Sequence, residues 1–189
     1  SNNGVDYSKT PLDSAVMFEY REQVHAISMS PSIGPVRGGT EVLLLGSWPA
    51  GARSVMCTVG EQTVRCTVVS SSSAQCTMPS SSRAGSVLVH ARGTADAVGA
   101  SQVPGIEYEY VAAPVPMRLM PSQGPLHGAS VVTVVGEALG WRSMMCHIQE
   151  YGGAVWRSMP RSSTAVLCIM PARSADKAVV VDLSVNGMD

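Results

Sequence analysis

Cysteine is the residue of this chain with the most chemistry to offer. Five occur, at positions 57, 66, 76, 146 and 168. None forms Cys-x-x-Cys and no histidine stands at zinc-finger spacing, so the pattern does not read as a metal centre. What the spacing favours is oxidation. Cys57-Thr58-Val59 recurs as Cys146-His147-Ile148, and Cys76-Thr77-Met78-Pro79 recurs as Cys168-Ile169-Met170-Pro171. Cysteines at matched positions lead us to expect one bridge per copy, Cys57–Cys76 and Cys146–Cys168. Each would close a loop of about 20 residues and stabilise by about 3 kcal/mol in the chain-entropy view. Cys66 aligns with Ser158 and is the odd one. Two alternatives stay open: a Cys66–Cys76 bridge that leaves Cys57 free, and five reduced, buried thiols. Bridges would place the chain in an oxidising compartment.

Other reactive patterns are absent or ordinary. Gly-x-Ser-x-Gly does not occur, and no serine has a His/Asp partner suggested by the sequence. His25, His90, His127 and His147 are scattered, and His127 stands where the first copy has Arg37. The acidic residues lack calcium-loop spacing. Glu107 and Glu109 alternate with Tyr108 and Tyr110, as on one polar face of a strand. Gly38-Gly39-Thr40 precedes an apolar strand-like run rather than a helix, so no helix N-terminus would receive a phosphate. We therefore expect no enzyme, no catalytic or cofactor-binding residues, no bound metal and no cofactor. Trp48 and Trp141 follow the matched Gly46 and Gly136. Loop aromatics of this kind either anchor a protein partner or cap the open end of a sandwich, and both are candidates for partner contact.

These residues sit in a chain that repeats itself every 90 positions. Pro31, Gly34, Pro35, Gly38 and Gly46 return as Pro121, Gly124, Pro125, Gly128 and Gly136, and Tyr20 returns as Tyr110. A repeat this long is a small domain rather than a solenoid turn. Short apolar runs alternate with Gly, Pro and Ser clusters. Strands are expected at 40–45, 54–59, 63–69, 74–78, 85–91 and 106–111, and no segment shows a capped helical period. About seven short strands per repeat is the signature of a β-sandwich. The chain is 45% hydrophobic and 14% charged, which supports a packed core and argues against disorder. Its net charge of -1 leaves no basic footprint for nucleic acid. No run approaches the roughly 20 apolar residues of a membrane helix.

The pattern Pro31…Gly34-Pro35…Gly38-Gly39-Thr40…Val42…Gly46, then Val69-Ser70…Cys76-Thr77-Met78-Pro79, then Tyr108-Glu109-Tyr110, resembles the IPT/TIG family of immunoglobulin-like domains. The second copy reads Pro121…Gly124-Pro125…Gly128…Ser130…Gly136, then Cys168-Ile169-Met170-Pro171. It departs at Ala129 and Ser130, which replace a glycine and a threonine. The resemblance implies an all-β chain of tandem immunoglobulin-like sandwiches of the early-set type. Such domains occur in plexins, the hepatocyte growth factor receptor and fibrocystin-like ciliary proteins. The Asn-Gly-x-Asp ending and the Ala/Ser/Met-rich composition are most similar to long arrays on protist and algal cell surfaces.

Three segments follow from the repeat: 1–20 as the closing strand of a preceding repeat, 21–112 as a complete repeat, and 113–189 as a repeat lacking its last strand. Asn3-Gly4-Val5-Asp6 matches Asn186-Gly187-Met188-Asp189, and Ala15–Tyr20 is the type of strand the second repeat lacks. Tyr110 to Pro121, with Pro114 and Pro116, reads as a stiff linker. The resemblance implies a structural or adhesive segment of a larger extracellular or cell-surface protein. It would act as a semi-rigid stalk or contact module with protein partners, self-association through the array among them. Neither nucleic acid nor a membrane span within these residues is expected. The alternative is a ligand-binding segment of a receptor ectodomain. A cytosolic, DNA-contacting branch of the family fits poorly with the near-neutral charge.

Overall fold

The computed structural model describes residues 24–92, 104–149 and 155–188. The proposed closing strand at 1–20 therefore lies outside the described residues. Among those described there are fifteen strands and no helix.

The first repeat holds β1 (His25–Ser30), β2 (Ile33–Pro35), β3 (Glu41–Ser47), β4 (Ser54–Val59), β5 (Gln62–Ser70), β6 (Ser73–Thr77), β7 (Gly85–Arg92) and β8 (Ile106–Val111). They form one ladder in the order β1-β3-β6-β5-β4-β7-β8-β2. β5 makes the corner. Its first part pairs with β4 and its end pairs with β6, so the ladder bends over. β1 then lies against β7 and β8 from the opposite layer. Strand alternation supplies the filling: Val42 and Leu44 of β3 and Val55, Cys57 and Val59 of β4 point inward. Leu43 and Leu45 point out.

The second repeat holds β9 (Val115–Met120), β10 (Val131–Glu137), β11 (Met145–Ile148), β12 (Val155–Arg157), β13 (Met159–Ser162), β14 (Ala165–Ile169) and β15 (Val181–Ser184). A β13-β14-β10-β9 sheet packs over a β12-β11-β15 sheet around Val132, Val134, Leu139, Met144, Cys146 and Val166. The pairings repeat those of the first copy: β9 with β10, β10 with β14, and β11 with β15. The counterpart of β5 is divided at Ser158, the position aligned with Cys66. There the buried hydroxyl donates to the Met144 carbonyl at 2.7 Å.

One expectation needs correction. The segment from Tyr110 to Pro121 is not mainly linker: β9 occupies most of it, leaving only 112–114 between β8 and β9. β1 holds the corresponding place at the start of the first repeat. The repeats also touch directly. Val111 is buried in the second core, Ile33 packs on the same core, and the Asn186 side-chain amide donates to the Ile33 carbonyl at 3.0 Å.

Candidate functional site

Three buried sulfur atoms meet in the first repeat. Cys57 on β4, Cys66 on β5 and Cys76 on β6 all lie within 4.8 Å of one another. Cys66 and Cys76 are bonded, and Cys57 is a free thiol. The expected Cys57–Cys76 bridge is therefore corrected to the alternative pairing. The reason lies in sheet order. β5 stands between β4 and β6, so Cys66 is on the strand next to Cys76, and Cys57 is one strand further away. In the second repeat Ser158 holds the Cys66 position, and Cys146 is joined to Cys168. Burial pushes the Cys57 thiol up from an ordinary value near 9 to about 12. It is thus a poor nucleophile in the folded state. With two of the three sulfurs in a bridge, the cluster does not present three thiolates to a metal.

The tryptophans differ from each other. Trp48 is only 3% exposed and belongs to the first core, which corrects its reading as a partner contact: an indole so placed cannot reach another molecule. Trp141 is half-buried against the second core. Both indole nitrogens are buried without a hydrogen-bond acceptor among the described residues. The capping role, in which an aromatic closes the end of the sandwich, explains their burial.

The best-built feature is the seat of β8. This strand lies antiparallel to β7 and parallel to β2. Tyr108 and Tyr110 are 0% and 2% exposed, and their rings meet edge-on with centroids 5.0 Å apart. The Tyr110 hydroxyl donates to the Pro79 carbonyl at 2.6 Å. Burial first, and neighbouring Tyr108 second, hold the Tyr110 phenol up at about 12. The Tyr108 hydroxyl lies where a side chain on Gly34 would stand, beside Thr40. Only glycine leaves that space.

The second repeat has residues matching those of this seat. Gly124, Ser130 and Pro171, the counterparts of Gly34, Thr40 and Pro79, line an open groove of about 580 Å³ together with Val179, Val181 and Lys177. Gly34, Pro35 and Thr40 are buried, whereas Gly124 and Pro125 are exposed and Ser130 is half-buried. Sequence reading does not single out this groove, although its signal is present in the residue matches at the repeat offset.

Residues 25–104 match the IPT/TIG domain family. This segment is an IPT/TIG domain. Its all-β, immunoglobulin-like fold is the one that family implies. No curated protein matches the chain. Among solved structures, the extracellular region of Plexin A4 (domains 1 to 10) is similar in fold, with a TM-score of 0.53 and 22% identity over 80% of this chain and 13% of that one. A second structure of the same region (domains 1 to 8) gives a TM-score of 0.47 and 17% identity over 94% of this chain and 19% of that one. The chain thus spans a small part of either ectodomain.

Proposed function

We propose that this chain is a non-enzymatic structural segment of a larger extracellular or cell-surface protein, a semi-rigid stalk built from two successive IPT/TIG repeats and working through protein contact. The observation that carries this reading is the join between the repeats. Three residues link β8 to β9, Val111 is shared with the second core, and Asn186 bonds to Ile33. A short connection with a direct hydrogen bond and a packed residue limits hinge motion. Two disulfides support an oxidising location. Small-angle scattering tests the stalk: one narrow set of end-to-end distances supports it, and a broad distribution of interdomain angles contradicts it.

A receptor segment that binds a ligand is the second reading, favoured by one surface. On the outer face of the β13-β14-β10-β9 sheet, Met159, Leu167, Thr133 and Met120 stand in register beside the Val131–Ile169 pair. Met120, Val131, Met159 and Ile169 are all at least 44% exposed. An exposed apolar outer face suits a partner. Val131→Glu would abolish capture of such a ligand without unfolding the sandwich, and unchanged capture would count against this reading.

A further inference from the structure

We propose that the outer face of the β1-β3-β6-β5 strands in one copy of this chain docks on the outer face of the β13-β14-β10-β9 sheet in a second copy. This rests on the stalk reading and names its contact. The two faces share one layout and differ in their side chains. Leu43 lies between Ser30 and Gln75, and at the matching place Thr133 lies between Met120 and Leu167. The first face thus carries a ridge. Leu43 and Leu45 are 41% and 47% exposed, and Ser28, Ser30 and Ser73 flank them. The second face carries a trough. Thr133 is half-buried, with exposed Met120 on one side and Leu167 and exposed Met159 on the other.

Stacked sheets lie about 10 Å apart with their strands nearly aligned, so β3 can run either way along β10. Charge decides the direction. With the two strands parallel, Glu41 would lie over the Val131–Ile169 pair, and its carboxylate would be buried on apolar surface without a partner. With them antiparallel and Leu43 over Thr133, Glu41 comes over Val135, next to Arg118. Gln75 donates to the Glu41 carboxylate at 2.7 Å and holds it on this face. Leu45 then rests on Val131, and small residues meet large ones: Ser30 over Met120, and Ser73 over Ile169. The antiparallel stack satisfies charge and shape together.

The faces meet between copies. Three residues between β8 and β9, and the Asn186–Ile33 bond, keep one chain from folding its repeats onto each other. Each copy offers one ridge and one trough, so the contact is heterologous and builds rings or open filaments. Four strands about 4.8 Å apart and three outward rows about 6.8 Å apart make roughly 400 Å² of facing sheet. That is about half of one partner's share in a standard interface. A single contact is therefore weak and gains strength by repetition.

Sedimentation up to about 1 mM tests this. The unmodified chain should form dimers and then longer species as its concentration rises. Leu43→Glu spoils the ridge and Val131→Glu spoils the trough, so each variant alone should associate about tenfold less tightly. Mixed, the two variants should form a heterodimer that grows no further, because each keeps one intact face. Glu41→Arg should weaken association about fivefold, and adding Arg118→Glu to the same chain should restore it. An unmodified chain that stays monomeric overturns the proposal and leaves the second face to a foreign ligand. Association that neither single variant weakens, or a mixture that behaves as its components do, overturns it too. Scattering on the same samples separates the two readings: a rod-like monomer overturns this contact alone, whereas a flexible monomer overturns the stalk.

Discussion

The sulfur of Cys57 lies 4.0 Å from the sulfur of Cys76, across the pair of positions that the second repeat joins as Cys146–Cys168. The first repeat therefore holds two ways of tying the same sandwich. Its Cys66–Cys76 bond closes a separation of 10 residues, and a Cys57–Cys76 bond would close 19. Cys66→Ser should move the bridge rather than abolish it. Peptide mapping without reduction should then find Cys57 joined to Cys76. Free Cys57 and Cys76 in a folded Cys66→Ser variant would show that the backbone holds them apart.

The buried thiol also predicts a pH dependence. Its folded value is about 12 against an ordinary value near 9. Below pH 9 both states keep the proton and the contribution is level. Between 9 and 12 only the unfolded chain releases it, so stability falls as pH rises, by at most about 1.4 kcal/mol per unit. Urea unfolding at about pH 8.5 and about pH 10.5 should show this fall in the native chain, and Cys57→Ala should reduce it to the smaller fall that Tyr110, also held up at about 12, contributes above pH 10. An equal fall in both would place its origin elsewhere.

Ala129 sits at φ 61 where the first repeat has Gly39 at φ 92. A side chain in the left-handed region costs about 1–2 kcal/mol. Ala129→Gly should raise the stability of the second repeat by about 1 kcal/mol, and Gly39→Ala should lower that of the first by a similar amount. Differential scanning calorimetry reads both, and a destabilising Ala129→Gly would refute the argument.

Trp48→Ala removes a fully packed indole and should cost about 3–5 kcal/mol. The half-buried Trp141 should cost less on the same change. Denaturant titration gives both values. A Trp48→Ala variant of native stability would mean that the ring stands outside the core.

Tyr110→Phe deletes only the hydroxyl that donates to Pro79. It should cost about 1 kcal/mol and leave the fold intact. A neutral result would show that the aromatic ring alone holds β8 in its seat.

Much of the first sandwich is legible in the sequence because its strands alternate. The expected bounds of β4 and β8 are the observed ones, and those of β3, β5, β6 and β7 differ by at most two residues at either end. β1 and β9 are hidden by neighbouring prolines, since Pro31, Pro116 and Pro121 make a strand look like a spacer. β2 is three residues long and pairs only in parallel with a strand more than 70 positions away, which no local pattern reveals. Cysteine pairing fails for a related reason. The repeat offset identifies equivalent positions, but only strand order shows that Cys66 stands between Cys57 and Cys76. The groove of the second repeat is visible only when Gly124, Ser130 and Pro171 are set against the residues that hold Tyr108 and Tyr110.

The extracellular stalk reading is tested most directly by the oxidation state of the five cysteines in protein taken from its native source under alkylating, non-reducing conditions. We predict Cys146 bonded to Cys168, Cys76 bonded to a partner within the first repeat, and one thiol there that is labelled only after denaturation. Five alkylated thiols would contradict the account and return the chain to a reducing compartment.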